Sequence, residues 1–539
     1  MTRRDFIALA VIVGLIGTVY GIAHQPSEPF FYNDETRHVM TCVFFHDALA
    51  DVPITHPKQY AIRYYLQYPA LGLVAWPPCF YAIAGCWMRV FGTSYESARL
   101  LVAVFAVVNC FYVYQLTLRT IGRAEAWLAT IMVAGSPLVF DYSRQVMLEI
   151  PTLALSMMAL VHFHRYVERA ARYDAVLSCL AAAMAALTRY DGVFLLPMFG
   201  LLLLDGRRWR VLRRPVVWAS IAGAIVLTLP FYWLAYGELT WSMHKTMTQG
   251  ADPTATHLFA LQNIVFYPSC IPEQVGWSTA IAAALGLLLV MGDSDRRRRM
   301  TPWLALAAAT YLTFTPLAEQ VLRHAIYWVP SICVLAAIGI VYVARQIPRG
   351  VPLSMAVVSV AVVFVNTLSP APFARGYAEA ARYVVDHSQR SRICLMDGFL
   401  NGNFIYQIRR YDPERRFWIL RGDKLFYAVH SDPHSEYREW VTTDGEILEM
   451  IRRYDPEYIV VEEPPVEFRL PMALRLREVL KANPDRFELE RRFPVTGKSQ
   501  VFEGVHLDVY RNKQANPNRD RRLKLPMLWQ GTQYEADLP

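Results

Sequence analysis

Apolar runs of membrane length recur along the chain until about residue 368; beyond it, short apolar stretches alternate with charged and turn-forming residues. Runs near 6–23, 98–118, 126–140, 150–166, 175–188, 191–204, 216–234, 277–291, 302–317, 326–344 and 352–368 approach a bilayer crossing once tilt and aromatic ends are allowed. The pattern predicts about eleven transmembrane helices. One further stretch, Trp76-Pro77-Pro78-Cys79-Phe80-Tyr81 through Phe91, is short, opens on two prolines and carries Arg89. It is expected to lie along the membrane surface with its aromatic residues at headgroup level. Past Arg375, a helix is predicted over 376–388, a buried strand over 393–396, another over 416–420, a helix over 446–454 and an apolar strand over 458–461. Asp397-Gly398 and Asn401-Gly402-Asn403 are expected as turns. Such alternation predicts a small α/β domain with a partly parallel sheet. The Asn-, Pro- and Arg-rich stretch after about Arg511 is expected to be extended or disordered. The predicted organisation is a polytopic α-helical membrane domain over 1–368, an α/β domain over 369–510 and a tail over 511–539.

Composition agrees with that division. With 54% hydrophobic, 13% aromatic and only 19% charged residues, a chain of 539 residues is too apolar for a pair of soluble domains. The net charge of +8 does not point to nucleic acid, because the arginine clusters lie between apolar runs, where orientation signals belong. The eight cysteines form no C-x-x-C pair, and only Cys394 lies beyond residue 368. That usage supports neither a disulfide within the C-terminal domain nor a cysteine zinc site.

Short cytoplasmic loops collect Lys and Arg, and the bias is consistent if the 76–91 stretch does not cross. Arg3 and Arg4, Arg119 and Arg123, Arg165 to Arg172, Arg207 to Arg214, Arg296 to Arg299, and Arg345 with Arg349 then face inside. The later outside loops keep only Arg144, Arg189, Lys245 and Arg323. The N-terminus is thereby expected in the cytoplasm. Residues 24–97, 141–149 and 235–276 and the C-terminal α/β domain are expected to be extracytoplasmic. Met1-Thr2-Arg3-Arg4 and the first run also fit a signal peptide cleaved after Gly21-Ile22-Ala23, which would leave the other orientations unchanged.

Candidate chemistry sits on the outside loops. Asn33-Asp34-Glu35-Thr36-Arg37-His38 precedes Val39, Met40, Val43 and Phe44 at helical spacing, so two carboxylates open an amphipathic helix. Charge beside hydrocarbon is costly and usually kept for a task, which makes Asp34 and Glu35 catalytic candidates. The competing reading is a helix start whose acids complement the dipole. Arg37 and His38 lie three and four residues from Asp34, within reach of its side chain. Asp141-Tyr142-Ser143-Arg144 and Leu148-Glu149-Ile150-Pro151 form a second constellation, with a helix-capping Glu149 and an interface-anchoring Arg144 as the plainer alternatives. Arg323, within Glu319-Gln320-Val321-Leu322-Arg323-His324, is a third candidate. A guanidinium at that depth needs an anion, either a phosphate bound bidentately or Glu319. His56, His244 and His257 form no metal-ligand spacing, and neither a Walker loop nor a dinucleotide fingerprint occurs.

In order along the chain, Asp34-Glu35-Thr36-Arg37, Trp76-Pro77-Pro78, Phe91-Gly92 with Arg99, Ser143-Arg144, Leu148-Glu149-Ile150-Pro151, and Arg323 ahead of Pro330 form a recognisable series. It resembles the membrane glycosyltransferases of the protein O-mannosyltransferase and aminoarabinose-transferase type, whose architecture is called GT-C. The resemblance covers roughly the first 370 residues. It implies a GT-C fold and an inverting transfer of sugar from a polyprenyl-phosphate donor to an extracytoplasmic acceptor: protein, lipid or cell-envelope glycan. It further implies Asp34 as general base with Glu35 beside it, and Glu149 in place of the second loop's acid. Relatives commonly have Asp before Pro where this chain has Glu149 with Ile150 intervening, and His or a Glu-Lys pair where it has Trp76. Without a lysine there, the carrier phosphate would fall to Arg144, Arg323 or Arg63, and Arg37, His38, Trp76 and Tyr142 would line the substrate pocket. No cofactor is implied outright, and the chemistry leaves room for a divalent metal.

A lipid or sugar transporter is the alternative, its charges marking a pathway. Against it, the acids cluster on outside loops and no inverted repeat with paired broken helices is visible. A third reading is a glycan-binding or assembly protein that keeps the scaffold without turnover. The absence of N-x-[ST] sequons and the basic-inside pattern make a bacterial inner membrane the expected location.

Overall fold

The computed structural model describes residues 3–22, 33–73, 75–237, 260–317, 320–367, 372–429, 437–465, 470–498, 500–515, 522–527 and 532–538. The chain forms two compact units. One comprises Met1–Gln25, Leu73–Phe80 and Arg99–Ala371, the other Pro26–Gly72, Tyr81–Ala98 and Pro372–Pro539.

The first unit is helical. Among the described residues, Tyr95–Thr120, Pro215–Leu234 and Leu322–Ala344 are long and apolar enough to cross a membrane, and Tyr190–Leu204, Trp277–Met291 and Gly350–Val365 are shorter apolar helices. The helix Pro215–Leu234 leaves Trp218, Val226, Leu229, Trp233 and Leu234 exposed. Water solvates such a surface poorly and hydrocarbon solvates it well. Val329–Ala344, by contrast, is largely buried, from Val329 and Pro330 to Val341 and Ala344. It packs on Trp277–Met291 through glycines: a Cβ on Gly286 would collide with the Leu335 carbonyl, and one on Gly339 with that of Ala282. Small residues of this kind let membrane helices approach backbone to backbone. Prolines open Pro137–Ser143, Pro215–Leu234, Thr301–Phe314 and Val329–Ala344, where the missing N–H costs nothing.

The second unit is built on a five-stranded mixed sheet. Its strands lie in the order Trp418–Arg421, Ile393–Asp397, Tyr458–Glu463, His506–Asn512 and Phe487–Pro494; the first three are parallel, and His506–Asn512 runs antiparallel to both of its neighbours. Leu395 stands opposite Leu420 on one side and Ile459 on the other, and all of Ile393–Asp397 is buried, as an apolar run between helices requires. The helix Asp444–Tyr454 begins with a capping box between Thr443 and Glu446.

Two expectations change here. Asn401-Gly402-Asn403 is not a turn but the first turn of the helix Asn401–Tyr411, with Asn401 Nδ2 donating to Gly398 O at 3.0 Å. The tail is not without paired structure: Arg522–Met527 and Thr532–Asp537 pair as antiparallel strands. Leu523, Leu525 and Leu538 enter the same core as Ile393, Ile459 and Tyr454, an alternation that the polar composition around it hides.

The loop that follows the first helix is part of this second unit. Leu66 lies in its core. Gln67 Nε2 donates to the carbonyls of Arg415 (2.6 Å) and Phe417 (3.0 Å), and Arg421 Nη1 to Pro69 O at 2.7 Å. Arg409 and Arg415 pair with Asp47 and Asp51.

Candidate functional site

In the second unit the acidic pair stands in the first turn of the helix Asn33–Asp51, and the two acids have different surroundings. Glu35 is buried, and Tyr95 donates its hydroxyl to Glu35 Oε1 at 2.9 Å. Asp34 is half-buried. His38 is buried and its Nδ1 meets the Tyr81 hydroxyl at 2.7 Å. Arg37 is half-buried; burial pushes its guanidinium down from its ordinary value and the nearby Arg421 adds to this, while Asp34 and Asp423 oppose it. Arg421 is held by Asp423, whose carboxyl burial would raise but whose pairing with Arg421 keeps low. Arg63 is on the exposed side of Pro57–Gln67, whose Tyr64, Leu66 and Gln67 are buried.

In the first unit Glu149 opens the helix Glu149–Arg169 and is fully buried. Arg189 Nη1 donates to Glu149 Oε1 at 2.7 Å, and Arg323 Nε stands 3.8 Å from the same oxygen. Arg189 Nε also donates to Asp191 Oδ2, at 2.5 Å, and Tyr327 OH reaches that oxygen at 3.3 Å. His324 stacks on Phe314 with ring centroids 5.4 Å apart. The structure thus joins Glu149 to Arg323. The alternative partner of Arg323, Glu319, lies outside the described residues. Arg144 is engaged elsewhere: its Nη2 donates to Asp141 Oδ1 at 2.6 Å, its guanidinium lies 4.1 Å over the Phe140 ring, and its carbonyl accepts from Arg99 Nε. Tyr142 and Trp76 are half-buried. The stretch that Trp76 opens is tied down where Cys79 N–H donates to Leu187 O at 2.7 Å, two residues before Arg189.

Sequence reasoning missed Arg189, Asp191, Tyr95 and Tyr81. The first two carried a signal: Thr188-Arg189-Tyr190-Asp191 puts opposite charges at the mouth of an apolar run. Tyr95 carried none, being 60 residues from the acid it holds. Among the described residues no three His, Cys, Asp or Glu side chains come together as a metal site.

Comparison with known proteins bears out the resemblance to the GT-C glycosyltransferases. Residues 75–233 match the family model described as dolichyl-phosphate-mannose-protein mannosyltransferase. The chain is similar in fold to ArnT from Cupriavidus metallidurans bound to undecaprenyl phosphate, at 12% identity and a TM-score of 0.59, covering 96% of this chain and 100% of that one. For the apo state of that protein the values are 13% and 0.63, over 95% and 99%. The apo oligosaccharyltransferase of Archaeoglobus fulgidus is similar at 12% identity and a TM-score of 0.54, over 85% of this chain and 69% of that one. No curated protein matches the chain by sequence. The chain therefore has the GT-C fold, and among its described residues three helices are long and apolar enough to cross a membrane.

Proposed function

We infer that the chain is an inverting glycosyltransferase that moves a sugar from a polyprenyl-phosphate donor to an extracytoplasmic acceptor. The observation that carries this reading is the unequal acidic pair on a fold shared end to end with a protein that binds undecaprenyl phosphate. Glu35 is buried and held by Tyr95, while Asp34 remains half-buried.

In this reading the acceptor oxygen attacks the anomeric carbon as the bond from that carbon to the phosphate oxygen breaks. The electron pair leaves on the polyprenyl phosphate, and Asp34 takes the acceptor proton. A single displacement inverts the centre, so one base suffices, and a placed base contributes ~10²–10⁴ in rate. Glu35 positions the turn that carries Asp34. Arg323 binds the carrier phosphate, pairing with the charge that the donor already carries before transfer, and Glu149 holds Arg323 in place. Arg37 and His38 contribute to the acceptor's surroundings. Arg144, Arg63, Trp76 and Tyr142 are secondary in this assignment, because Arg144 is committed to Asp141 and Arg63 is exposed. The orientation that accompanies it has about eleven spans, a cytoplasmic N-terminus and an extracytoplasmic C-terminal domain in a bacterial inner membrane.

The test is release of polyprenyl phosphate from a panel of radiolabelled polyprenyl-phosphate sugars by the purified protein in lipid, with a cell-envelope extract as acceptor and Asp34→Asn alongside. Release that needs both Asp34 and acceptor supports the reading. A folded wild-type protein that releases nothing from any donor would sink it and favour transport.

A further inference from the structure

We propose that Gly402, in the C-terminal α/β domain, is a positioning residue for the acidic turn of the helix Asn33–Asp51; the proposal rests on the transferase reading above. Gly402 lies in the first turn of the helix Asn401–Tyr411 with helical backbone. Nothing in its own conformation calls for glycine there, and glycine is a poor helix former. The reason is its neighbour. A Cβ at position 402 would collide with Thr36 Oγ1 and stand 3.0 Å from Thr36 Cβ. Thr36 is fully buried, between Glu35 and Arg37 in sequence. The backbone of one helix thus rests directly on the turn that carries the two acids.

Three further contacts fix the geometry. Arg409, seven residues after Gly402, makes a bidentate pair with Asp47, with Nη2 2.9 Å from Oδ1 and 2.8 Å from Oδ2. Asp47 lies eleven residues after Thr36, so the two helices run side by side from the Gly402 contact. At ~1.5 Å per residue the rises are ~10 and ~16 Å, a difference that the long arginine side chain spans. Tyr406 OH donates to Thr93 O at 3.2 Å, two residues before the tyrosine that holds Glu35. The start of the helix Asn401–Tyr411 is itself anchored to the sheet, because Phe399 N–H donates to the buried Glu462 Oε2 at 2.6 Å. Glu35 is held through Tyr95 and Thr36 is packed against Gly402, so the helix Asn401–Tyr411 bears on the turn both directly and through the Thr93–Tyr95 segment.

A general base displaced by about 1 Å loses on the order of 10² in rate. Gly402→Ala is therefore expected to lower kcat for sugar transfer by about tenfold to a hundredfold, with donor KM within about threefold of wild type. Adding Thr36→Ala, which removes the colliding oxygen, is expected to recover at least half of the lost kcat on a logarithmic scale. Thermal unfolding and size-exclusion profiles in detergent establish that each variant is folded, and Gly402→Ser serves as a second single variant. A folded Gly402→Ala protein with wild-type kcat would overturn the proposal and leave the transferase reading intact. So would a defect that Thr36→Ala does not relieve, or one confined to KM. If the wild type itself transfers no sugar, the reading beneath fails and takes the proposal with it.

Discussion

Replacing Arg409 by alanine removes the cation of a nearly dry ion pair, in which the Arg409 and Asp47 side chains are only 11% and 4% exposed. Deleting one partner of such a pair typically costs 3–5 kcal/mol, because the remaining charge is left buried and uncompensated. Here Asp47 keeps a hydrogen bond from Tyr64 OH at 2.7 Å and a contact with His46 Nδ1 at 2.9 Å. The lower end, about 3 kcal/mol, is therefore the better expectation. The loss falls on the contact between the helices Asn33–Asp51 and Asn401–Tyr411, and should appear as easier local opening of both. Since each 1.4 kcal/mol is tenfold, amide hydrogen exchange in the two helices should accelerate by on the order of 10² in the intact protein in nanodiscs. The strand Ile393–Asp397, deep in the sheet, should change far less. Removing both charges, as Asp47→Leu with Arg409→Met, should cost much less than Arg409→Ala alone, because no orphan charge remains. Exchange in both helices within threefold of wild type would refute the reasoning. A double variant as destabilised as the single one would refute it too.

Other outcomes follow from the same contacts. Tyr95→Phe removes the hydrogen bond to buried Glu35 and should lower kcat about tenfold while leaving donor KM near wild type, read from initial rates across donor concentrations. Gly339→Leu should abolish the close approach to Ala282 and leave the protein aggregated or poorly inserted in detergent extraction. Asp51 is held below the usual carboxylate range first by the hydrogen bond from Arg415. The unfolded chain therefore binds the extra proton first as pH falls, so the stability that Asp51 contributes is present above about pH 4 and is lost below it. The gap in thermal midpoint between wild type and Asp51→Asn, measured from pH 7 down to pH 3, should close over that window.

What the sequence disclosed depended on how local the cause was. The helix Asn33–Asp51 was legible because Val39, Met40, Val43 and Phe44 repeat at helical spacing behind an acidic start. The strand Ile393–Asp397 was legible because an uninterrupted apolar run between turn residues has few other places to go. Gly402 was misread because glycine between two asparagines has the composition of a turn, whereas its real constraint is the distant Thr36. The strand pair near the C-terminus was hidden for a related reason: Leu523, Leu525, Tyr534 and Ala536, with Leu538 just after them, give it an apolar face among charged and polar neighbours. The pairing of Glu149 with Arg189 joins the start of one helix to a residue 40 positions away, a distance that no short-range pattern encodes. Likewise, nothing local indicated that the segment after the first helix shares a core with the C-terminal domain.

The role of Glu149 follows from the two guanidiniums that share its carboxylate oxygen. Arg189 divides its donors between Glu149 and Asp191, and its side chain is only 8% exposed. The Arg323 side chain is 27% exposed and its Nε stands farther from Glu149, at 3.8 Å. Of the two guanidiniums, Arg323 is the more exposed and the farther from Glu149, so in the proposed reading it is the one that meets the phosphate while Glu149 restrains it. If that is the work of Glu149, Glu149→Gln weakens a charge-assisted contact of the kind worth about 1.5–3 kcal/mol. Donor KM should then rise about tenfold to a hundredfold with kcat little changed, the pattern of lost ground-state binding. If Glu149 instead took a proton during transfer, kcat would fall by ~10²–10⁴ while donor KM held. Steady-state kinetics over a range of donor concentrations separates the two. A fall confined to kcat would overturn the positioning role and make Glu149 a second candidate for the base.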